Sequence, residues 1–431
     1  MLISQSKNNK STKIAAQRSW LFLAAAVMCL LTVLQLGVFP CAMAQTVRLP
    51  LKKVYLKDHK EDIESGIETI EERHGRGLAE INVTVTNKYD LQYHASLLIG
   101  DAKYNQTFIW DTGSTLLWTP LNNCSSCPST NKYTPASSYS STGTRHIINY
   151  LSGQVVGDVA NDKVYITSSS GPVTMELLGV DTADSAIQGM VADGILGMGP
   201  AITGGRPGTL LVEKLKTAGI IGKNAFGVDY RWLNGTSSIL LGGYDTDLIK
   251  SDEDFDWIGL KTNTHWTVEM STVKYGGTEL SMSSTSAVLD TGTSLTIFPY
   301  SDFMNIWNEI KDGKNCGYIV GTSRLGCDCD SIKDFKEIKI KLGEHDTKMP
   351  ASAYVEYFAG TTSNGVCLLY IDFYIGDFGG LVILGDSFLR EYYVYHDVQG
   401  QRVGLYGKNY SANTSAFSVL VFIMLFISFH F

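Results

Sequence analysis

Short apolar runs alternating with polar residues recur along this chain, and stretches of helical period are scarce. Val, Ile, Thr and Tyr dominate the alternating positions, so the pattern predicts an all-β class. Helical spacing is clearest at Leu210 to Thr217 and at Ser301 to Lys311. The segment Arg145-His-Ile-Ile-Asn-Tyr150-Leu-Ser-Gly153-Gln-Val-Val reads as a hairpin, two strands around a Ser-Gly turn. Two apolar runs end alike. Phe108-Ile109-Trp110 leads into Asp111-Thr112-Gly113-Ser114, and Ala287-Val288-Leu289 into Asp290-Thr291-Gly292-Thr293. Each aspartate therefore ends a buried strand and enters a tight glycine turn.

One Asp-Thr-Gly is an ordinary turn sequence. Two copies 179 residues apart, each followed by a hydroxyl residue, are not. A second matched pair lies downstream of them, Asp193-Gly-Ile-Leu-Gly197 and Val382-Ile-Leu-Gly385-Asp386. A repeat at this interval predicts two similar lobes rather than a short-period solenoid. Glycine permits close backbone approach, so each Ile-Leu-Gly can run beside its own turn. That places Asp111 and Asp290 together on a pseudo-twofold axis.

Two adjoining carboxyls cannot both ionise easily, so such a pair holds one proton over an acidic window. The ionised member can act as general base on a water, while the protonated one polarises a carbonyl. No covalent intermediate, cofactor or metal is required. Other chemistries find little support. His94, His146, His265 and His396 are scattered, and Cys124-Ser-Ser-Cys127 and Cys327-Asp-Cys329 lack the second ligand pair of a zinc site. No phosphate loop or dinucleotide fingerprint occurs, and a net charge of −8 disfavours nucleic acid.

From about Tyr89 to Tyr406 the chain resembles the pepsin-like aspartic proteases of the pepsin and cathepsin D group. The resemblance rests on the order of five segments, Phe108–Trp118, Asn149–Gly157, Asp193–Gly199, Ala287–Ser294 and Val382–Tyr393. It implies a bilobal β fold with a central cleft, an aspartic endopeptidase activity, polypeptide substrates and a monomer. It also implies catalytic roles for Asp111 and Asp290, hydroxyl donors to them at Ser114 and Thr293, and a cross-link between the turns through Thr112 and Thr291. Tyr150, which alone would be an ordinary strand aromatic, becomes a flap tyrosine bonded to the indole of Trp118, with Gly153 in the flap turn and Ile109 beside the groove. Leu151 and Trp110 depart from the family's usual Gly and Phe. The different-class alternative is a catalytically silent, peptide-binding surface glycoprotein of the same fold.

The ends of the chain suggest processing. Basic residues, an apolar stretch from Trp20 to Phe39 and Ala42-Met-Ala44 make residues 1–44 a secretory signal peptide; an uncleaved signal anchor is the other reading. Residues 45–86, basic at Arg48-Leu-Pro-Leu-Lys-Lys53 and charge-dense from Asp58 to Arg76, read as an inhibitory propeptide. The lobes are then expected at 87–260 and 261–410. The resemblance implies disulfides Cys124–Cys127 and Cys329–Cys367, with Cys316–Cys327 as an extra local bridge; spacing alone leaves fifteen pairings open. Asn105, Asn123 and Asn234 begin glycosylation motifs. Residues 411–431, small residues followed by the uncharged apolar Phe417 to Phe431, read as a GPI-attachment signal or else a short tail anchor. The expected locations are thus the cell surface, by lipid anchor, or an endolysosomal or vacuolar lumen.

Overall fold

The computed structural model describes residues 47–54, 67–68, 92–150, 153–184, 187, 190–200, 208–230, 237–250, 254–319, 324–358, 365–376 and 378–408, the first two segments as backbone. Residues 1–44, expected as a signal peptide, most of residues 45–86, expected as a propeptide, Leu151, Asn234 and residues 411–431 lie outside the described residues.

Strands dominate, as the alternation predicts. Among the described residues they form sheets of thirteen, eight and five strands. The two helical patterns become helices Leu211–Thr217 and Tyr300–Ile310. The second buries Phe303, Ile306, Trp307 and Ile310, the stripe that a 3.6-residue period places on one face.

One arrangement occurs twice. Strand Tyr104–Asp111 runs parallel to Gly194–Gly197, with Asp111 opposite Gly197; Leu117–Pro120 then pairs antiparallel with Gly194–Gly197 and parallel with Val173–Ala183. In the second half, Ser286–Leu289 runs parallel to Val382–Leu384, and Thr296–Pro299 pairs antiparallel with that strand and parallel with Ile371–Tyr374. The chain thus builds the two-lobed all-β architecture, one Asp-Thr-Gly turn per lobe. The Ile-Leu-Gly glycines pass where no side chain would fit. A Cβ at Gly197 would lie 2.3 Å from the backbone nitrogen of Leu116, and one at Gly385 would lie 2.2 Å from the carbonyl oxygen of Thr293.

The lobes share a layer of strands beneath the turns. Ala225–Asp229 pairs with Ser237–Leu241 on one side and with Tyr392–Asp397 on the other, so first-half and second-half strands lie in one sheet. The N-terminal strand Val47–Val54 enters the same sheet, pairing with Ser237–Leu241 and with Gln92–Ile99. The short strand Ile67–Glu68 pairs with Tyr318 and Ile319 of Cys316–Ile319.

The core carries the large side chains. Trp110, Trp118, Trp266 and Trp307 are all fully buried, each removing enough apolar surface to stabilise the fold by roughly 2–3 kcal/mol. Trp110, larger than the usual Phe, is accommodated at 1% exposure. The disulfides are Cys124–Cys127, Cys316–Cys327 and Cys329–Cys367. The last two staple three neighbouring strands, in which Cys316 faces Cys327 and Cys327 faces Cys367.

Candidate active site

Asp111 ends its strand and Asp290 directly follows the equivalent one, and the paired turns bring them together across the lobe boundary. Their surroundings match. Gly113 N–H and Ser114 Oγ–H donate to the two oxygens of Asp111 at 2.8 and 2.5 Å. Gly292 N–H and Thr293 Oγ–H do the same for Asp290 at 2.8 and 2.7 Å. Each glycine also faces the opposite aspartate: a Cβ on Gly292 would sit 2.3 Å from Asp111 Oδ1, and one on Gly113 would sit 2.7 Å from Asp290 Oδ1. Only glycine lets the carboxyls approach this closely.

The threonines hold the turns together. Thr112 N–H donates to Thr291 Oγ1 (3.0 Å), and Thr291 N–H donates to Thr112 Oγ1 (2.9 Å). Each hydroxyl proton then goes to the other lobe, from Thr112 to the carbonyl of Leu289 (2.8 Å) and from Thr291 to that of Trp110 (2.5 Å). Four buried bonds at about 1 kcal/mol net apiece fix one lobe against the other at the point where a small shift matters most.

The two carboxyls are not equivalent. Asp111 is 5% exposed, whereas Asp290 is half-buried. Burial, and then the neighbouring Asp290 carboxylate, raise Asp111 well above the usual carboxylate range; the Ser114 and Gly113 donors oppose this without overcoming it. The pair therefore retains a proton at pH values where a solvated pair would have lost both.

Tyr150 ends strand Ser140–Tyr150, which pairs with Gly153–Tyr165 through Tyr150 opposite Gly153. Trp118 Nε1–H donates to its hydroxyl at 3.0 Å. Burial, and then the charge of Asp111, push the Tyr150 phenol up, so it stays protonated. Ile109, Leu116, Trp118, Val155 and Leu178 form the apolar cluster on which Tyr150 and Ile148 rest. Asn105 and Asn123 are exposed. Among the described residues no group of three or more His, Cys, Asp or Glu is disposed to hold a metal ion.

The sequence reading missed several supports. Trp266 ties the two turns from below: its indole N–H donates to the carbonyl of Met198 (2.8 Å), its carbonyl accepts from Leu289 N–H (3.1 Å), and Met198 N–H donates to the carbonyl of Asp111 (2.7 Å). Asp193 accepts from Thr107, Ser129 and Asn131 and so fixes the start of Gly194–Gly197. A lone Trp or Asp carries no spacing signal, so these roles appear only once distant strands pair.

A family model described as eukaryotic aspartyl protease matches residues 92–407. The chain is 28% identical over 335 residues to embryonic pepsinogen of Gallus gallus, an alignment covering 76% of this chain and 83% of that protein. It is 29% identical over 333 residues to pepsin A of Gallus gallus, covering 74% and 85%. Against pepsin II-2/3 of Oryctolagus cuniculus it is 27% identical over 333 residues, covering 75% and 82%.

Proposed function

Because the chain belongs to the eukaryotic aspartyl protease family, we propose that it is an active aspartic endopeptidase that hydrolyses peptide bonds of proteins in acid. The observation that carries this reading is the two-fold donor set around Asp111 and Asp290. A water between the carboxyls loses a proton to Asp290 as it attacks the peptide carbonyl. Asp111 donates its proton to that carbonyl oxygen, giving a tetrahedral gem-diol. As the C–N bond breaks, the proton gathered by Asp290 passes to the leaving nitrogen and one hydroxyl of the intermediate returns its proton to Asp111, releasing acid and amine. Ser114 and Thr293 keep the carboxyl planes aligned, and Tyr150, held by Trp118, closes over an extended substrate.

The leader belongs to the same reading. Val47–Val54 hydrogen-bonds on both sides within the shared sheet, which supports a zymogen whose propeptide is folded into the enzyme and inhibits it until removed. Residues 1–44 then direct secretion, and the apolar tail directs GPI attachment at the membrane surface. Among the described residues no helix is long and apolar enough to cross a membrane. Phosphatidylinositol-specific phospholipase should release the enzyme from cells, and recovery of the Phe417–Phe431 peptide from the mature membrane-bound chain would refute the lipid anchor.

The decisive test is acid incubation of purified zymogen with a protein substrate. Cleavage should be blocked by a statine-type peptide and abolished in Asp111→Asn and Asp290→Asn, whose near-isosteric amides cannot serve as base. Near-wild-type cleavage by either variant, or a neutral optimum sensitive to chelators, would overturn the reading.

A further inference from the structure

Beneath the second turn lies a buried polar layer that the mechanism above does not use. Asp229 ends strand Ala225–Asp229, and its carboxylate sits 2.8 Å from Lys408 Nζ, with the two side chains only 3% and 8% exposed. An ion pair this far from water is favourable only when its remaining hydrogen-bonding capacity is met. The ammonium has three N–H donors and finds three acceptors: Asp229, the carbonyl of Tyr230 (2.5 Å) and the carbonyl of Arg390 (3.4 Å). Arg390 follows the turn of helix Asp386–Leu389, directly after the strand whose Leu384 carbonyl accepts from Asp290 N–H. Lys408 thus fastens a first-half strand end to the second-half segment that supports Asp290.

Tyr230 is the residue this clamp holds. Its side chain is fully buried, and its ring lies flat on that of Tyr93, with centroids 3.8 Å apart and planes 8° from parallel. Its hydroxyl points at the carbonyl of Thr291, 3.5 Å away. That carbonyl belongs to the same peptide unit as Gly292 N–H, the donor to Asp290 Oδ1 at 2.8 Å. A hydrogen bond to a peptide oxygen polarises the N–H at its other end and fixes the plane of the peptide. Thr291 N–H and Oγ1 are already committed to Thr112 and Trp110, so the carbonyl is the remaining polar handle on this residue.

We propose that Tyr230, held by the Lys408–Asp229 ion pair, is a positioning residue for the second catalytic turn, orienting the Thr291–Gly292 peptide so that its N–H is aimed at Asp290. The proposal rests on the endopeptidase reading for its kinetic consequences. Burial, and then the Asp386 carboxylate, raise the Tyr230 phenol well above its usual range, so the hydroxyl remains a donor at every working pH. Among the described residues Tyr150, from the flap side, and Tyr230, from below, both feel the charge of Asp111, and the Asp386 carboxylate and the Tyr93 phenol act on Tyr230 in turn. Neither tyrosine carries charge in acid.

The test is Tyr230→Phe, which keeps the ring stack and the core volume and removes only the hydroxyl. A long neutral bond is weak, so kcat should fall by roughly three- to fivefold with KM unchanged. The acid limb of the kcat profile should move to higher pH, because a carboxylate that loses part of a donor is less easily formed. Exchanging the ion pair for an uncharged one, Lys408→Met with Asp229→Asn, should shift the limb in the same direction. Adding Tyr230→Phe to that variant should move it little further, since both act through one contact. An unmoved acid limb in Tyr230→Phe, or full additivity of the changes, would overturn the proposal. Should the wild type cleave nothing in acid, the endopeptidase reading fails. The acid-side carboxyl titration of the pair, followed by carbon-13 NMR of labelled aspartate, then decides this inference: a shift in Tyr230→Phe supports it and an unchanged midpoint refutes it.

Discussion

Replacing His396 should reverse part of the protein's sensitivity to acid. His396 lies on strand Tyr392–Asp397 with no exposure, flat against Phe226 (centroids 4.5 Å apart, 7° between planes) and edge-on to Trp266 (4.7 Å, 77°). Neither ring nitrogen meets a hydrogen-bond partner among the described residues. Nothing compensates a charge there, and burial alone pushes the imidazole down to about 3. In the unfolded chain a histidine titrates near ~6.5. Between those values the unfolded state binds a proton that the folded state refuses, so stability falls as pH drops through this window. At about 1.4 kcal/mol per pH unit, the loss slightly exceeds ~3 kcal/mol by roughly pH 4 and is nearly nil at about pH 7. His396→Phe keeps the aromatic stack and cannot titrate; one extra ring atom in a packed core costs about 1–3 kcal/mol at every pH. Thermal unfolding of both proteins, in an Asp111→Asn background that prevents self-cleavage, separates the two contributions. From about pH 7 to about pH 4 the difference should move in the variant's favour by roughly 3 kcal/mol, or about 3–5 °C in Tm for a folded unit of this size. Parallel stability curves would refute the account and require that His396 ionise without cost.

The turn glycines should be irreplaceable for catalysis yet not for folding: Gly292→Ala puts a Cβ against Asp111 Oδ1 and should lower kcat/KM by on the order of a hundredfold or more, checked beside an unfolding scan. Trp118→Phe removes the indole donor to Tyr150 and should cost about fivefold in kcat/KM, the equivalent of one neutral hydrogen bond; an unchanged value would mean that the flap orients itself otherwise. Because Asp111 is raised, the folded protein keeps a proton that the unfolded chain has released, so stability should decline as pH climbs above the ordinary aspartate range. Asp111→Asn should remove that decline in a series of melting curves. Replacing both Cys316 and Cys327 by serine opens a bridge between residues 11 apart and should lower stability by roughly 2–3 kcal/mol, read from the urea midpoint.

The sequence by itself determined the local chemistry. An apolar run that ends in Asp-Thr-Gly is a buried strand entering a glycine turn whatever surrounds it, and its repetition already implied a two-fold design. The strand class, both helices and the two Ile-Leu-Gly strands beside their turns follow from periodicity and from glycine's small size, which act over a few residues. Only the tertiary structure decided what depends on residues far apart in the chain. Asp111 is raised above the usual carboxylate range because its side chain is the more deeply buried and faces Asp290, an asymmetry that two nearly identical motifs cannot express. Gly113 and Gly292 each make room for the other lobe's aspartate, although in the sequence they look like ordinary turn glycines. Asp229 and Lys408, Tyr230 and Thr291, and Trp266 and Met198 have no spacing that marks them as partners. They meet because strands from both halves pair within one sheet or pack against a second beside it, and burial there turns common side chains into strong constraints. Propensity and patterning are properties of neighbours, whereas charge coupling and desolvation are properties of the assembled interior.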